Sequence, residues 1–136
     1  MVLLPTFDAP ITVRIWRSGK QHFLITKRTN GLGGFGMDKF GKLSYEKTRP
    51  LTEDEWNMFI KLLDESSFWD MPSLARNIPV TDGASWFIEG VHNKNFHEVL
   101  RITPSKEFEE VCVYFLKLTG FEKEYEGYSQ FSKIIQ

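Results

Sequence analysis

"ITVRIWRSGKQHFLITKRT", residues 11–29, decides the fold of this chain. Ile11, Val13 and Ile15 alternate with Thr12, Arg14 and Trp16, which is the period of a strand with one buried face. Gly19-Lys20 supplies a tight turn, and residues 21–29 alternate again through Phe23, Ile25 and Lys27. Two such runs joined by Ser-Gly-Lys predict a β-hairpin. A hairpin pairs its strands antiparallel, so the chain begins as a meander.

Downstream, "KLSYEKT" (residues 42–48) predicts a third short strand with Leu43 and Tyr45 on one face, stopped by Pro50. In "LTEDEWNMFIKLLDESSFW", Thr52 and Glu55 form a capping box, T-x-x-E. Trp56, Phe59, Ile60, Leu62 and Leu63 then recur at helical spacing, predicting a helix from Glu53 to about Ser66. A polar loop lies between Pro72 and Pro79. A second hairpin is expected over Ser85–Val91 and Phe96–Thr103, around His92-Asn93-Lys94-Asn95. Ser105 caps a second helix whose apolar stripe is Phe108, Val111, Cys112, Phe115 and Leu116, with Gly120 as its natural C-terminal stop. The tail from Phe121 carries scattered aromatics and predicts at most one more short element.

The predicted order is β-β-β-α-β-β-α: an α+β fold with an antiparallel sheet of about five strands and two helices packed on it. The 136 residues make one domain, with no internal repeat and no dividing linker. Such a chain buries roughly two-thirds of its unfolded surface and needs no staple.

Hydrophobic residues make up 41% and charged residues 26%, the profile of a soluble globular protein. Twelve Phe and four Trp suggest a core of large rings or an aromatic binding surface. The net charge of -1 offers no basic stripe, so nucleic acid is not expected as a partner. Cys112 is the only cysteine, which excludes an intrachain disulfide and fits a reducing, cytoplasmic home. "MVLLPTFDAP" has no basic n-region and breaks at Pro5 and Pro10, so it does not read as a signal peptide. No apolar run approaches the ~20 residues of a membrane span.

"NGLGGFG", residues 30–36, spells G-x-G-x-x-G at Gly31, Gly33 and Gly36. A dinucleotide-binding loop must lead from a strand into a helix N-terminus, whose free N–H groups hold the pyrophosphate. Here "MDKFGKLSY" follows, with another glycine and no apolar stripe, and no G-K-S/T is present. The stretch therefore reads as a connection or bulged hairpin end. Phe35, Met37 and Phe40 on it would also suit a partner-binding loop.

No catalytic or metal constellation stands out, and no cofactor is expected. His92 and His97 lie near one hairpin with Glu89 and Glu98, but a metal needs several ligands converging on one point. Cys112 sits on an apolar stripe, where a thiol behaves as a small hydrophobe. Glu109-Glu110 and Asp64-Glu65 read as helix-surface charges. The polar set worth singling out is Asp82, Trp86, Glu89, His97 and Arg101. A three-residue hairpin loop would put Glu89 on the face of His97 and Arg101 as a charge-assisted pair. A two- or four-residue loop would instead set Glu89 across from Glu98, where the two repel. That contrast favours the three-residue loop.

The stretch "DGASWFIEGVHNKNFHEVLRITP" resembles a pattern of small, largely uncharacterised bacterial proteins: D-G, then W-x-x-E-G, a short turn, Y-H-x-V-x-R-x-x-P, and a helix closing on Leu and Gly. Asp82-Gly83, Trp86, Glu89-Gly90, His97, Val99, Arg101 and Pro104 match, and Phe96 replaces the usual Tyr. The upstream helix with Trp56 and Phe68-Trp69 also look similar, so the resemblance covers the second half of the chain well and the first half vaguely, and it brings no established chemistry. Small single-domain bacterial proteins of this layout are often immunity proteins, a likeness of size and layout. It implies a non-catalytic module that neutralises a cognate toxin by stoichiometric binding. The expected contacts are Trp16, Phe35, Met37, Phe40 and Tyr45, since interfaces favour aromatic residues. The alternative is a small enzyme or ligand-binding domain that uses Glu89, His97 and Arg101.

Overall fold

The computed structural model describes residues 1–32, 41–74 and 84–129. Strands β1 (Val2–Pro5), β2 (Ile11–Ser18), β3 (Gln21–Thr29) and β4 (Leu43–Pro50) precede helix α1 (Glu53–Glu65). Strands β5 (Ala84–His92) and β6 (Asn95–Arg101), then helices α2 (Lys106–Thr119) and α3 (Glu122–Tyr125), follow. The strands form one antiparallel sheet in the order β4-β3-β2-β1-β5-β6. The architecture is α+β, as the hairpins imply.

The sheet has six strands rather than five. The extra one is β1, which pairs with β2 on one side and β5 on the other and so joins the two hairpins into one sheet. Val-Leu-Leu-Pro is too short to show alternation, and its Pro5 reads as a break. The tail contributes α3 and a single 3-10 turn, Glu126–Tyr128.

Both long helices begin as their caps dictate. The Thr52 hydroxyl accepts from the Glu55 N–H and the Glu55 carboxylate accepts from the Thr52 N–H. The Ser105 hydroxyl accepts from the Phe108 N–H. Their apolar stripes pack on one face of the sheet. Phe59 and Leu63 of α1 and Phe108, Val111, Cys112 and Phe115 of α2 meet Leu3, Ile11, Val13, Leu24, Trp86 and Val99 in one core. Each such side chain contributes about 2 kcal/mol by leaving water.

Two charges on this inner side serve the packing. Glu109 is buried in α2 rather than lying on its surface, because the helix turns most of its circumference into the core. Arg28 of β3 holds α3: it pairs with Glu124 at 2.7 Å, donates to the Tyr125 hydroxyl at 3.0 Å and stacks over Phe121 at 4.4 Å.

The strands on either side of the glycine-rich stretch, β3 and β4, are antiparallel, while Gly33 and Gly36 lie outside the described residues. The Asn30 N–H donates to the Lys42 carbonyl, the Lys42 N–H donates to Asn30 Oδ1, and the β3–β4 register slips between Arg28 and Thr29. This is a bulged hairpin end. Gly41 has φ 80°, and a Cβ there would collide with Asn30 and Gly31. The next described element after the motif is strand β4, not a helix whose N-terminal dipole could hold a pyrophosphate.

Candidate functional site

The first hairpin has a two-residue turn, Gly19-Lys20, and its register sets Ile15 opposite Leu24 and Trp16 opposite Phe23. Ile11, Val13, Leu24 and Thr26 therefore enter the core, while Trp16, Phe23 and Ile25 share the opposite face. Strand β3 is apolar on both faces, which simple alternation through Phe23 and Ile25 does not reveal. Among the described residues, every long helix lies on the inner side, so the outer face of the sheet has no helical cover.

That outer face is unusually apolar. Trp16 stacks on Phe23 at 5.7 Å between ring centres, and the Arg14 guanidinium lies 5.5 Å from the Trp16 ring. Val2 and Leu4 of β1 are half-buried in the middle of the face. Beyond them stand the cross-strand pairs Phe87–Leu100 and Val91–Phe96. Val91 is 71% exposed and Phe96 58%. A solvated sheet face ordinarily alternates to polar residues.

The second hairpin corrects an expectation. Its loop has two residues, Asn93 and Lys94, at φ 49° and 67°, the pattern of a type I′ turn. Gly90 therefore faces His97, and Glu89 stands directly across from Glu98 on the outer face. The Glu89, His97 and Arg101 face does not form. Like charges in opposition cost about 0.2–1 kcal/mol. A turn whose twist matches the strands outweighs that.

His97 and Arg101 do share the inner face with Val99 and Trp86. Their surroundings are structural. A 3-10 turn, Phe68–Asp70, brings Phe68 edge-on to His97 at 5.1 Å, and Trp69 lies 6.0 Å from His92 and 6.3 Å from His97. His97 Nε2 is buried with no hydrogen-bond partner among the described residues. The rings lie against Gly90, where a Cβ would come within 3.0 Å of both Phe68 Cε1 and Trp69 Cη2. The glycine at position 90 is thus a close-packing requirement. Gly90→Ala is expected to cost about 1 kcal/mol by overpacking, read as a lower urea midpoint at unchanged slope. An unchanged midpoint would mean that the rings move aside freely.

Arg101 is buried and donates to main-chain carbonyls: Nη2 to Pro72 at 2.5 Å, Nη1 to Ser73 at 3.2 Å and Nη1 to Leu100 at 2.8 Å. Desolvation pulls its pKa below the usual arginine value. It ties the segment before Leu74 to β6, where the Leu100 N–H also donates to the Ser73 carbonyl.

Of the expected contact residues, the structure does not bring Trp16 and Tyr45 together. Tyr45 lies on the inner face, edge-on to Phe121 at 5.0 Å. Phe35, Met37, Phe40 and Asp82 lie outside the described residues. Phe23, Phe87, Val91, Phe96 and Leu100 join the outer face through strand register, which local sequence does not fix. Burial pushes the Cys112 thiol far up, away from reactivity. Among the described residues, no three His, Cys, Asp or Glu converge as a metal site, and no helix is long and apolar enough to cross a membrane. Comparison with protein-family models, curated proteins and solved structures gives no match.

Proposed function

We propose that this chain is a non-catalytic protein-binding module that works by stoichiometric occlusion, in the manner of a bacterial immunity protein that neutralises a cognate toxin. The observation that carries the reading is the apolar outer face, with Trp16 stacked on Phe23 at one end and Val91 and Phe96 exposed at the other. Exposed apolar patches mark interaction sites, and aromatic residues are enriched at interfaces. The rings of the inner side, such as Phe59, Trp86, Phe108 and Phe115, are taken up by the core.

The test is to look beside the gene for this chain for an encoded toxin domain and co-express the two; a neighbourhood that encodes none counts against the reading. Wild type restores growth and co-purifies with the toxin at equal stoichiometry. Trp16→Ser with Phe96→Ser keeps the fold, because both side chains lie on the outer face, away from the core, and loses protection. Protection at substoichiometric dose, or protection unaffected by the double variant, overturns the reading.

A further inference from the structure

The charges on the outer face are sorted. On the β2–β4 half Lys27 faces Glu46 across the strands at 3.8 Å, and the Arg14 guanidinium lies 5.5 Å from the neutral Trp16 ring. On the β5–β6 half, Glu89 and Glu98 are exposed and directly opposite each other. Among the described residues neither carboxylate forms an ion pair, and the cation that acts on Glu89 from within the fold is the buried Met1 ammonium. They stand between two apolar cross-strand pairs, Phe87–Leu100 on one side and Val91–Phe96 on the other.

Resting on the protein-binding reading above, we infer that the β5–β6 half of the outer face docks a partner surface that presents a lysine or arginine flanked by apolar side chains. Two opposed carboxylates repel in the free chain, and a cation seated between them removes that repulsion. Val91 and Phe96 exclude water from the ion pair as they are covered, which strengthens it. Phe87 and Leu100 do the same on the far side.

The probe is a random peptide library displayed on phage and selected on the immobilised wild-type chain at low salt. Enriched peptides are expected to carry Arg or Lys beside an aromatic or aliphatic residue. A synthetic version is expected to bind roughly tenfold more weakly to Glu89→Gln/Glu98→Gln, to weaken with added salt, and to be lost with Val91→Ser/Phe96→Ser. The glutamine pair is expected to melt no lower than wild type, since it relieves a repulsion, so lost binding is not lost fold. Peptides that need Val91 and Phe96 but carry no cation, with affinity unchanged in the glutamine variant, overturn this inference and leave the binding reading standing. Selections that depend on no outer-face residue overturn both. Sedimentation of a dimer that Val91→Ser/Phe96→Ser dissociates makes a second copy the occupant and also overturns the inference.

Discussion

Arg101→Met is expected to lower stability by about 3 kcal/mol, or roughly 10 °C in melting temperature for a domain of this size. Methionine keeps most of the apolar stem that fills the space beside β6, so the loss isolates the guanidinium. Three carbonyls accept from that group: Pro72, Ser73 and Leu100. Hydrogen bonds from a charged donor contribute about 1.5–3 kcal/mol each, and three on one group are not additive. Ser73 keeps its bond from the Leu100 N–H, whereas among the described hydrogen bonds Pro72 loses its only side-chain donor. The segment leading to Leu74 would then detach from the edge of β6 before the sheet melts. Amide exchange would show this as faster exchange at Leu100, ahead of the β1–β5 amides. An Arg101→Met chain with wild-type stability would mean that the guanidinium is free for a ligand, and would return Arg101 to the candidate binding residues.

This substitution also marks how far the sequence can be read. The first hairpin, the capping box at Thr52 and Glu55, and the α2 stripe are legible because their signals are local. They are an alternation, a side chain three residues from its partner, and a repeat every three or four residues. Strand β1 is not legible, because a four-residue apolar run has no period. The outer face is legible only in part. Trp16 stands out on alternation, but its neighbour Phe23 depends on a two-residue turn, and Val91 opposite Phe96 depends on the left-handed pair Asn93-Lys94. Weighing the Glu89–Glu98 repulsion above the turn picks the wrong register, since the turn is the stronger term. Arg101 was expected to find a carboxylate. It finds carbonyls 28 and 29 residues earlier in the chain, and a carbonyl leaves no mark in a sequence. Gly90 shows the reverse case: its place in the motif is visible, but its reason lies in the rings of Phe68 and Trp69.

Glu55→Gln is expected to cost about 2 kcal/mol at neutral pH and to flatten the acid limb of the stability curve. Glu55 sits where β4, α1 and α2 meet. Its two oxygens accept from Arg49 Nη1 at 3.0 Å and Nη2 at 2.9 Å, and one also accepts from the Thr52 N–H. Arg49 in turn donates to the Leu118 carbonyl at 2.8 Å, so the pair fastens the end of α2 to the start of α1. The Arg49 hydrogen bonds, aided by Thr52, hold the Glu55 carboxyl down from 4.5 to about 2, against a desolvation that would raise it. A depression of that size corresponds to about 3 kcal/mol in a dry site, and solvent at the partly exposed pair reduces it to about 2. The folded-state pKa lies below the unfolded one, so the stabilisation is complete above pH 4.5 and disappears as pH falls towards about 2. Glutamine keeps an acceptor for Thr52 but cannot carry the charge, so it loses this contribution at every pH. Urea unfolding of both chains at a series of pH values would show a gap of about 2 kcal/mol at neutral pH that closes through the acid range. A gap that stays constant down to acid would show that Glu55 acts through shape and capping alone, with Arg49 contributing no charge-dependent stability.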